Sequence, residues 1–182
     1  MNSFFSCRNI EKESRIILDP LLHEASNGRV VYFDTGRLAL DCQKKYGDLV
    51  IQDKNTSALW SIELKAELRK SDNLFLEHWS NGSQYTPGWM VYLDADLLLY
   101  HFLESNELYI IKFQHLKRWF HFGDGFKDGK PYQYRPACER FPLKMQTKYE
   151  QKNNTLGRCV PINVIQNEVG LKLINPNSIA LN

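Results

Sequence analysis

The sequence lacks the cysteine and histidine spacings that mark common metal and redox motifs. It has four cysteines, none in a CxxC pair, and its five histidines form neither an HxxxH nor an HExxH spacing. These absences argue against a zinc site and for reduced thiols in a cytosol. We therefore expect a cytoplasmic protein whose histidines serve on the surface or in packing.

Long apolar runs are also missing. No segment reaches the length of a signal-peptide core or of a helix that crosses a bilayer, and the chain has neither an internal repeat nor a low-complexity tract. At 182 residues with 43% hydrophobic content, the chain is long enough for one real core and too short for two. These features predict one soluble, unexported domain over residues 1–182, with no membrane contact.

A large excess of charge of one sign is missing, since the net charge is only +2. The positive charges are nevertheless unevenly distributed along the chain. Residues 112–158 carry eleven Lys and Arg against four Asp and Glu, which gives +7 and leaves −5 for the remainder. Aromatic side chains are interleaved with these cations, a pattern that suits phosphate contact and base stacking. The alternative is an ordinary basic surface with aromatics packed beneath it.

A polyanion is the natural partner of this segment, and we expect DNA, with RNA also open. Residues 123–140 are rich in Gly and Pro and predict a long surface loop within a loop-rich extension over residues 121–182. The candidate nucleic-acid-binding residues are Lys127, Lys130, Arg135, Arg140, Lys144 and Lys148.

Two short alternating patterns are joined by a polar turn. Residues 48–53 and 58–65 each alternate between two faces, as half-buried strands do. Residues 54–57 are turn-like, so the segment predicts a hairpin centred on Asn55 and Thr56.

The hairpin register brings charged residues together. It pairs residues whose numbers sum to 111, which sets Asp48 opposite Glu63 at a Cβ distance of ~5 Å. Lys65 follows on the same face, ~6.6 Å along the strand. Two carboxylates this close repel unless a cation or a proton lies between them, so the arrangement could hold a divalent metal beside a lysine. A half-exposed hairpin with a surface salt bridge is the alternative, and a slip of one residue would turn Asp48 to the other face.

These residues and the order of the surrounding elements resemble the PD-(D/E)XK nuclease superfamily over about residues 10–120. In that family an Asp on the second core strand and an E-x-K on the third bind magnesium. The resemblance implies an α/β fold with a restriction endonuclease-like mixed β-sheet core, in the order αβββαβ, flanked by helices. It also implies that Asp48, Glu63 and the backbone carbonyl of Leu64 hold Mg²⁺ or Mn²⁺, with Lys65 as a catalytic residue. The family's Pro before the Asp is Gly47 here.

Two further acids are candidates. Residues 10–25 predict a helix whose apolar stripe includes Glu13, although Asp19-Pro20 could start a second helix. A carboxylate on the core-facing stripe is costly unless paired, and nucleases of this type often add a helix-borne acid, so Glu13 is a candidate third ligand. A helix that turns Glu13 to solvent is the alternative. Glu77 is a candidate on the strand after the E-x-K, or else a plain surface acid.

The remaining elements follow from their patterns. Residues 30–33 and 38–41 are both strand-like, and one of them should be the first core strand. Residues 73–80 predict a strand, residues 94–104 a buried helix and residues 107–113 another strand. The runs at 160–165 and 171–174 are also strand-like.

Three function classes remain open at this stage. The first is a metal-dependent nuclease that hydrolyses phosphodiester bonds in DNA, of the small phage, mobile-element or bacterial type found in defence, counter-defence or recombination. Such nucleases often dimerise, so a homodimer is a further expectation. The second is a nucleic-acid-binding module of the same fold with weak or no catalysis. The third is an inhibitor or other protein-interaction module.

Overall fold

The computed structural model describes residues 7–33, 37–146 and 154–176, and the following bounds refer to those residues. The elements in chain order are α1 (Cys7–Ser26), β1 (Val30–Tyr32), α2 (Arg37–Tyr46), β2 (Leu49–Gln52), β3 (Leu59–Glu67), β4 (Asn73–Asn81), β5 (Thr86–Pro87), α3 (Trp89–Tyr92), β6 (Leu97–Phe102), β7 (Glu107–Lys112), α4 (Phe113–Phe122), β8 (Asp124–Lys127), β9 (Lys130–Gln133), α5 (Ala137–Arg140), β10 (Leu143–Met145), β11 (Leu156–Pro161), α6 (Ile162–Glu168) and β12 (Lys172–Ile174).

The chain divides into two compact units. Unit 1 consists of Met1–Lys70, Ala95–Ile111 and Lys172–Asn182, and unit 2 of Ser71–Asp94 and Lys112–Leu171. The expected division into a core over residues 10–120 and an extension over 121–182 follows the sequence, whereas each unit draws on distant parts of the chain. The chain runs from β3 of unit 1 through residues 71–94 of unit 2 before it returns to unit 1 at β6.

Unit 1 contains a mixed sheet with the order β1-β2-β3-β6-β7-β12. The β3–β6 pair is parallel, and the β1–β2, β2–β3 and β7–β12 pairs are antiparallel. The fold is therefore mixed α/β, as the sequence predicts.

The predicted hairpin register is confirmed where β2 and β3 pair. Leu49 lies opposite Ile62, and Ile51 lies opposite Trp60. The alternating pattern fixes this register because a slip of one residue would move the buried leucine and isoleucines to the other face of the sheet.

Helix α1 covers one face of this sheet and runs unbroken through Pro20, so Asp19-Pro20 does not start a second helix. Leu18 and Leu22 of α1 lie in one buried cluster with Leu49 of β2 and Ile62 and Leu64 of β3. Burial of each such side chain contributes roughly 1.5–3 kcal/mol. The cluster fixes which face of the hairpin is apolar, and it leaves the opposite face for Glu63 and Lys65.

The buried helix predicted over residues 94–104 is wrong, since residues 97–102 form strand β6. β6 lies between β3 and β7, and Leu98 through Phe102 are all buried. A strand covered on both faces loses the alternation that marks a half-buried strand, so its apolar run is not distinguishable from a buried helix by pattern alone. Ser61 fixes the start of β6, because its N–H and Oγ donate to Oδ2 of Asp96 at 2.8 and 2.7 Å.

Residues 30–32 form the first strand, and the second strand-like run, at 38–41, belongs to helix α2. This places α2 between β1 and β2, where the αβββαβ order has no helix. The predicted strand at residues 73–80 is confirmed as β4.

Unit 2 contains a sheet with the order β10-β11-β4-β5 and a separate β8–β9 hairpin. The segment predicted as a long loop at residues 123–140 holds β8, β9 and the short helix α5. The run at residues 160–165 ends a strand and begins helix α6 at Ile162, so the strand predicted there is only half right. Within the described residues, no helix has the length and apolar character needed to span a membrane.

Candidate functional site

Asp48 lies immediately before β2 and is buried, with a relative solvent exposure of 8%. Its backbone N–H donates to the carbonyl of Ile62 at 2.8 Å. Its carboxylate accepts two hydrogen bonds, from the backbone N–H of Leu64 to Oδ2 and from Nε2 of Gln43 to Oδ1, both at 2.8 Å. The acid is therefore anchored to β3 through its backbone and its side chain.

Gly47 sets the approach of the chain to Asp48. Its φ is +94°, which L residues with a side chain rarely adopt, and its N–H donates to the carbonyl of Gln43 at the end of α2. A Cβ at this position would lie 2.5 Å from the carbonyl oxygen of Ile62. Glycine is therefore required for β2 to begin with only two residues between it and the end of α2.

Glu63 and Lys65 lie two residues apart on β3 and form an ion pair through Oε1 and Nζ. The Glu63 side chain is 7% exposed, and the Lys65 side chain is 27% exposed. Lys65 thus connects a buried acid to solvent on the sheet face opposite the apolar cluster.

The charges in this cluster perturb one another. Burial raises the pKa of Glu63, and the neighbouring carboxylates of Asp48 and Glu11 raise it further against the opposing effect of Lys65, to about 7. Burial lowers the pKa of Lys65, but the carboxylates of Glu63, Asp48 and Glu11 outweigh it, so its pKa is raised. Lys65 is therefore a stable cation at neutral pH, and Glu63 is held close to its protonation midpoint.

Helix α1 contributes charge to the site through Arg15 and Glu11. Nη2 of Arg15 lies 3.6 Å from Oδ1 of Asp48. Glu11, one turn before Arg15 and exposed, is the α1 acid that acts on Glu63 and Lys65. The predicted third ligand, Glu13, is partly buried on α1 and does not contribute to the perturbed pKa values of either residue.

The donor set suits a hard cation with an incomplete protein shell. Asp48 and Glu63 offer carboxylate oxygens, and each oxygen retains acceptor capacity beyond one hydrogen bond. The Leu64 N–H points to Asp48, and the C=O of a strand residue points to the same side as its N–H, which directs the Leu64 carbonyl toward the same edge. Mg²⁺ is commonly held by one or two carboxylates and keeps several waters, so these residues fit it.

The set does not fit a closed structural site. Among residues 7–33, 37–146 and 154–176, no group of three or more His, Cys, Asp and Glu side chains is arranged to hold a metal. Two carboxylates and a backbone carbonyl leave coordination positions for water or for oxygens of a substrate.

The other predicted site residues that the structure describes lie in unit 2. Glu77 is partly buried on β4 and pairs in register with Gly157 of β11. Lys127 and Lys130 are exposed at the ends of β8 and β9, and Lys144 is exposed on β10. Lys148 lies outside the described residues.

Arg140 and Arg135 differ sharply within the predicted basic surface. Arg140 forms a two-pronged pair with Glu168, at 2.5 Å to Oε2 and 2.9 Å to Oε1, and its guanidinium lies over the ring of Phe141. Arg135 is 69% exposed and makes a 3.4 Å contact with Glu139. Arg140 is thus committed to a contact inside unit 2, whereas Arg135 remains accessible.

Sequence reasoning missed Glu11, Arg15 and Gln43. Glu11 and Arg15 are spaced i, i+4 on a helix, a spacing that places both on one face and could have indicated a second acid and a cation beside the site. No sequence pattern indicates Gln43, because its side chain meets Asp48 only as a result of the left-handed turn that Gly47 makes at the end of α2.

Comparison of this chain with protein-family models, with curated proteins and with solved structures finds no match.

Proposed function

We propose that the protein is a metal-dependent nuclease that hydrolyses phosphodiester bonds in DNA, with Mg²⁺ or Mn²⁺ held by Asp48, Glu63 and the carbonyl of Leu64. The observation that carries the proposal is the cluster of two buried carboxylates, one directly before β2 and one on β3, with Lys65 in an ion pair with the second. When bound, the metal would polarise the scissile phosphate and lower the pKa of a coordinated water.

The pKa values support separate roles for the two polar residues of the E-x-K triplet. Because the pKa of Lys65 is raised, this residue stays protonated and acts as a cation and hydrogen-bond donor. It would orient the attacking water and offset the negative charge that develops on the phosphate. Glu63 has a pKa of about 7, so its proton is easily displaced by a metal ion that binds beside Lys65.

The order of elements also supports the proposal. A helix and three successive antiparallel strands, β1, β2 and β3, precede a strand parallel to β3, and the acids lie at the start of β2 and on β3. This is the placement that the PD-(D/E)XK resemblance implies for an Asp and an E-x-K. The additional helix α2 and the passage of the chain through unit 2 before β6 are differences from the αβββαβ order.

The test is cleavage of supercoiled, linear and single-stranded DNA and of RNA, each with Mg²⁺, Mn²⁺ or EDTA. We expect metal-dependent cleavage of DNA that Lys65→Ala reduces at least about a hundredfold, while DNA affinity changes little, because Lys65 acts in the transition state. Lys70→Ala, which removes the lysine that pairs with Glu107 in the same unit, is the matched control. Cleavage by Lys65→Ala at the parental rate would overturn the E-x-K assignment.

A second candidate is a nucleic-acid-binding or protein-interaction module of the same fold without efficient catalysis. The specific observation in its favour is that both acids already have nitrogen partners, Gln43 and Leu64 for Asp48 and Lys65 for Glu63. A network closed in this way does not need a metal. Absence of any metal effect on stability in both the parent and Asp48→Asn would favour this candidate.

A further inference from the structure

A cavity of about 450 Å³ lies in unit 2 between helix α4 and the β8–β9 hairpin. Six side chains from these two elements form most of its wall, and we call it the hairpin cavity. They are His115, Arg118, Asp124, Phe126, Pro131 and Gln133. The volume falls in the range of small-ligand sites, which is roughly 300–1,000 Å³.

The turn and the glycine of the β8–β9 hairpin fix its conformation beside this cavity. Asp128 and Gly129 form its turn with φ values of +52° and +74°, the conformation that tight two-residue hairpins require. Gly125 faces the interior of unit 2, where a Cβ would lie 2.4 Å from the carbonyl oxygen of Glu168. Trp119 of α4 would lie 3.0 Å from the same Cβ, and His115 of α4 lies beside Phe126 on the opposite face of the hairpin, so α4 borders both faces.

Residues on that opposite face line the cavity in register. Asp124 pairs with Gln133, and Phe126 pairs with Pro131. Each pair shares one face of the hairpin. The apolar pair and the polar pair thus lie side by side, so the wall has an apolar part and a hydrogen-bonding part.

The apolar part is flat and aromatic. The rings of Phe126 and His115 are 5.6 Å apart between centroids, with an interplanar angle of 37°. Pro131 is exposed beside Phe126. Flat rings of this kind suit stacking with a planar heterocycle.

The polar part presents donors and an acceptor together. Nη2 and Nε of Arg118 lie 2.6 and 3.1 Å from Oδ2 of Asp124, and the Arg118 side chain is 68% exposed. Nε2 of Gln133 donates to the carbonyl of Phe122, which fixes the amide in place. A ligand with an edge of alternating donors and acceptors matches this arrangement.

Positive charge lies at the tip of the hairpin, on the strand face that carries Gly125, beside Tyr132, which also lines the cavity. Lys127 and Lys130 are exposed at the hairpin turn, and Nζ of Lys127 lies 5.2 Å from the ring centroid of Tyr132. Tyr132 and Phe122 are 46% and 66% exposed. Cations beside exposed aromatic rings are the combination that binds single-stranded nucleic acid through its phosphates and bases.

We propose that the hairpin cavity receives an unpaired base of a single-stranded nucleic acid, while Lys127 and Lys130, at the tip of the hairpin, contact phosphates further along the same strand. The inference rests on the proposed function for the class of ligand, and it adds a preference for single strands over duplex. A paired base cannot reach the wall formed by Phe126 unless it leaves its stack, which costs a few kcal/mol.

The test is binding of fluorescently labelled oligonucleotides in EDTA, measured by anisotropy, with a single-stranded DNA, a single-stranded RNA and a DNA duplex of the same sequence. We expect tighter binding of the single strands, and we expect Phe126→Ala to weaken it roughly fivefold to a hundredfold. Phe126→Leu, which preserves apolar packing without an aromatic ring, should also weaken binding, and it guards against loss of folding. Tyr85→Ala removes an exposed tyrosine of unit 2 outside the cavity wall and should have no effect.

Two further measurements separate stacking from charge. An oligonucleotide that carries 2-aminopurine should lose fluorescence on binding to the parent but not to Phe126→Ala. Replacement of both Lys127 and Lys130 by Ala should reduce the slope of log affinity against log salt by about 0.7 for each lost phosphate contact on single strands.

The outcomes distinguish this inference from the proposed function. Equal affinity of the parent and both Phe126 variants for single strands would overturn the inference, while metal-dependent cleavage that requires Lys65 would still stand. Binding that depends on Phe126 in a protein that cleaves nothing would support the inference and remove the nuclease proposal. A parent protein that binds no nucleic acid in this assay overturns the inference.

Discussion

Each unit of the chain contains a group of interacting charged side chains, and the two groups differ in their balance of cations and carboxylates. In unit 2, Arg140 and Glu168 match one cation with one carboxylate, and Nε1 of Trp119 donates to Oε2 of Glu168 at 2.8 Å. In unit 1, the carboxylates of Asp48 and Glu11 act on that of Glu63, and the group contains two cations, Lys65 and Arg15.

The difference separates a group that stabilises the fold from one that is suited to bind. A matched and hydrogen-bonded pair satisfies both of its members, so there is no electrostatic reason for it to attract a further ion. A cluster with surplus carboxylates retains unfavourable repulsion, seen here in the raised pKa of Glu63. Perturbed groups of this kind concentrate at functional sites, because function requires an interaction that the protein alone does not complete.

The largest expected effect tests the matched pair. Arg140→Ala leaves Glu168 partly buried without its main partner, and we expect it to lower the free energy of unfolding by about 3 to 5 kcal/mol, as measured by urea denaturation. Arg135→Ala is the matched control, since an exposed i, i+4 ion pair contributes only about 0.3–0.5 kcal/mol to the free energy of unfolding. If Arg140→Ala were as stable as the parent but bound DNA more weakly, Arg140 would belong to the nucleic-acid-binding surface predicted from sequence.

A smaller effect concerns the surplus of acid in unit 1. Glu63 has a pKa of about 7 in the folded protein, above its ordinary value of 4.5, so the folded state holds a proton that the unfolded chain releases. Stability should therefore fall as the pH rises from 4.5 to about 7 in EDTA, by on the order of 3 kcal/mol at most.

Glu63→Gln isolates this effect. The amide keeps the shape of the side chain without titrating, so the fall in stability between pH 4.5 and about 7 should flatten. Glu24→Gln changes an exposed acid of α1 and should leave the profile unchanged. Parallel profiles for Glu63→Gln and the parent would show that Glu63 is ionised throughout and that the two charge groups do not differ as described.

The smallest expected effect is that of metal on stability. Mg²⁺ or Mn²⁺ at a hundredfold excess over its dissociation constant should stabilise the parent by ~2.7 kcal/mol, a rise in Tm of several degrees. Asp48→Asn should abolish the rise, and Arg140→Ala should retain it. Because binding displaces the Glu63 proton, apparent metal affinity should increase with pH up to about 7 and then level off. An equal rise in the parent and in Asp48→Asn would place the metal elsewhere.

The local geometry of the site could be predicted from sequence because it depends on short-range rules. The pairing of Leu49 with Ile62 follows from two alternating runs and the turn between them. Helix α1 was also predictable in extent, but the side chain that it directs toward the acids was not. Which acid, Glu11 or Glu13, acts on Glu63 depends on how α1 is rotated on the sheet, and Leu18 and Leu22 decide that rotation through contacts with distant strands.

Features that depend on long-range contacts could not be predicted in this way. Strand β6 is apolar on both faces because of its central place in the sheet, and this place is decided by β3 and β7. Arg140 is one of six basic residues in the predicted surface, and only its contact with Glu168, 28 positions away, removes it from that surface.

Gly47 has a consequence for how this site tolerates change. Its backbone is left-handed, and a Cβ there would lie 2.5 Å from the carbonyl oxygen of Ile62, so every side chain is excluded. The proline that the resemblance would place there is excluded as well, because its φ is locked near about −65°. In a mutational scan, position 47 should be as intolerant as the acid beside it, although it has no functional group. Any redesign of this site would have to rebuild the end of α2 before it could change residue 47.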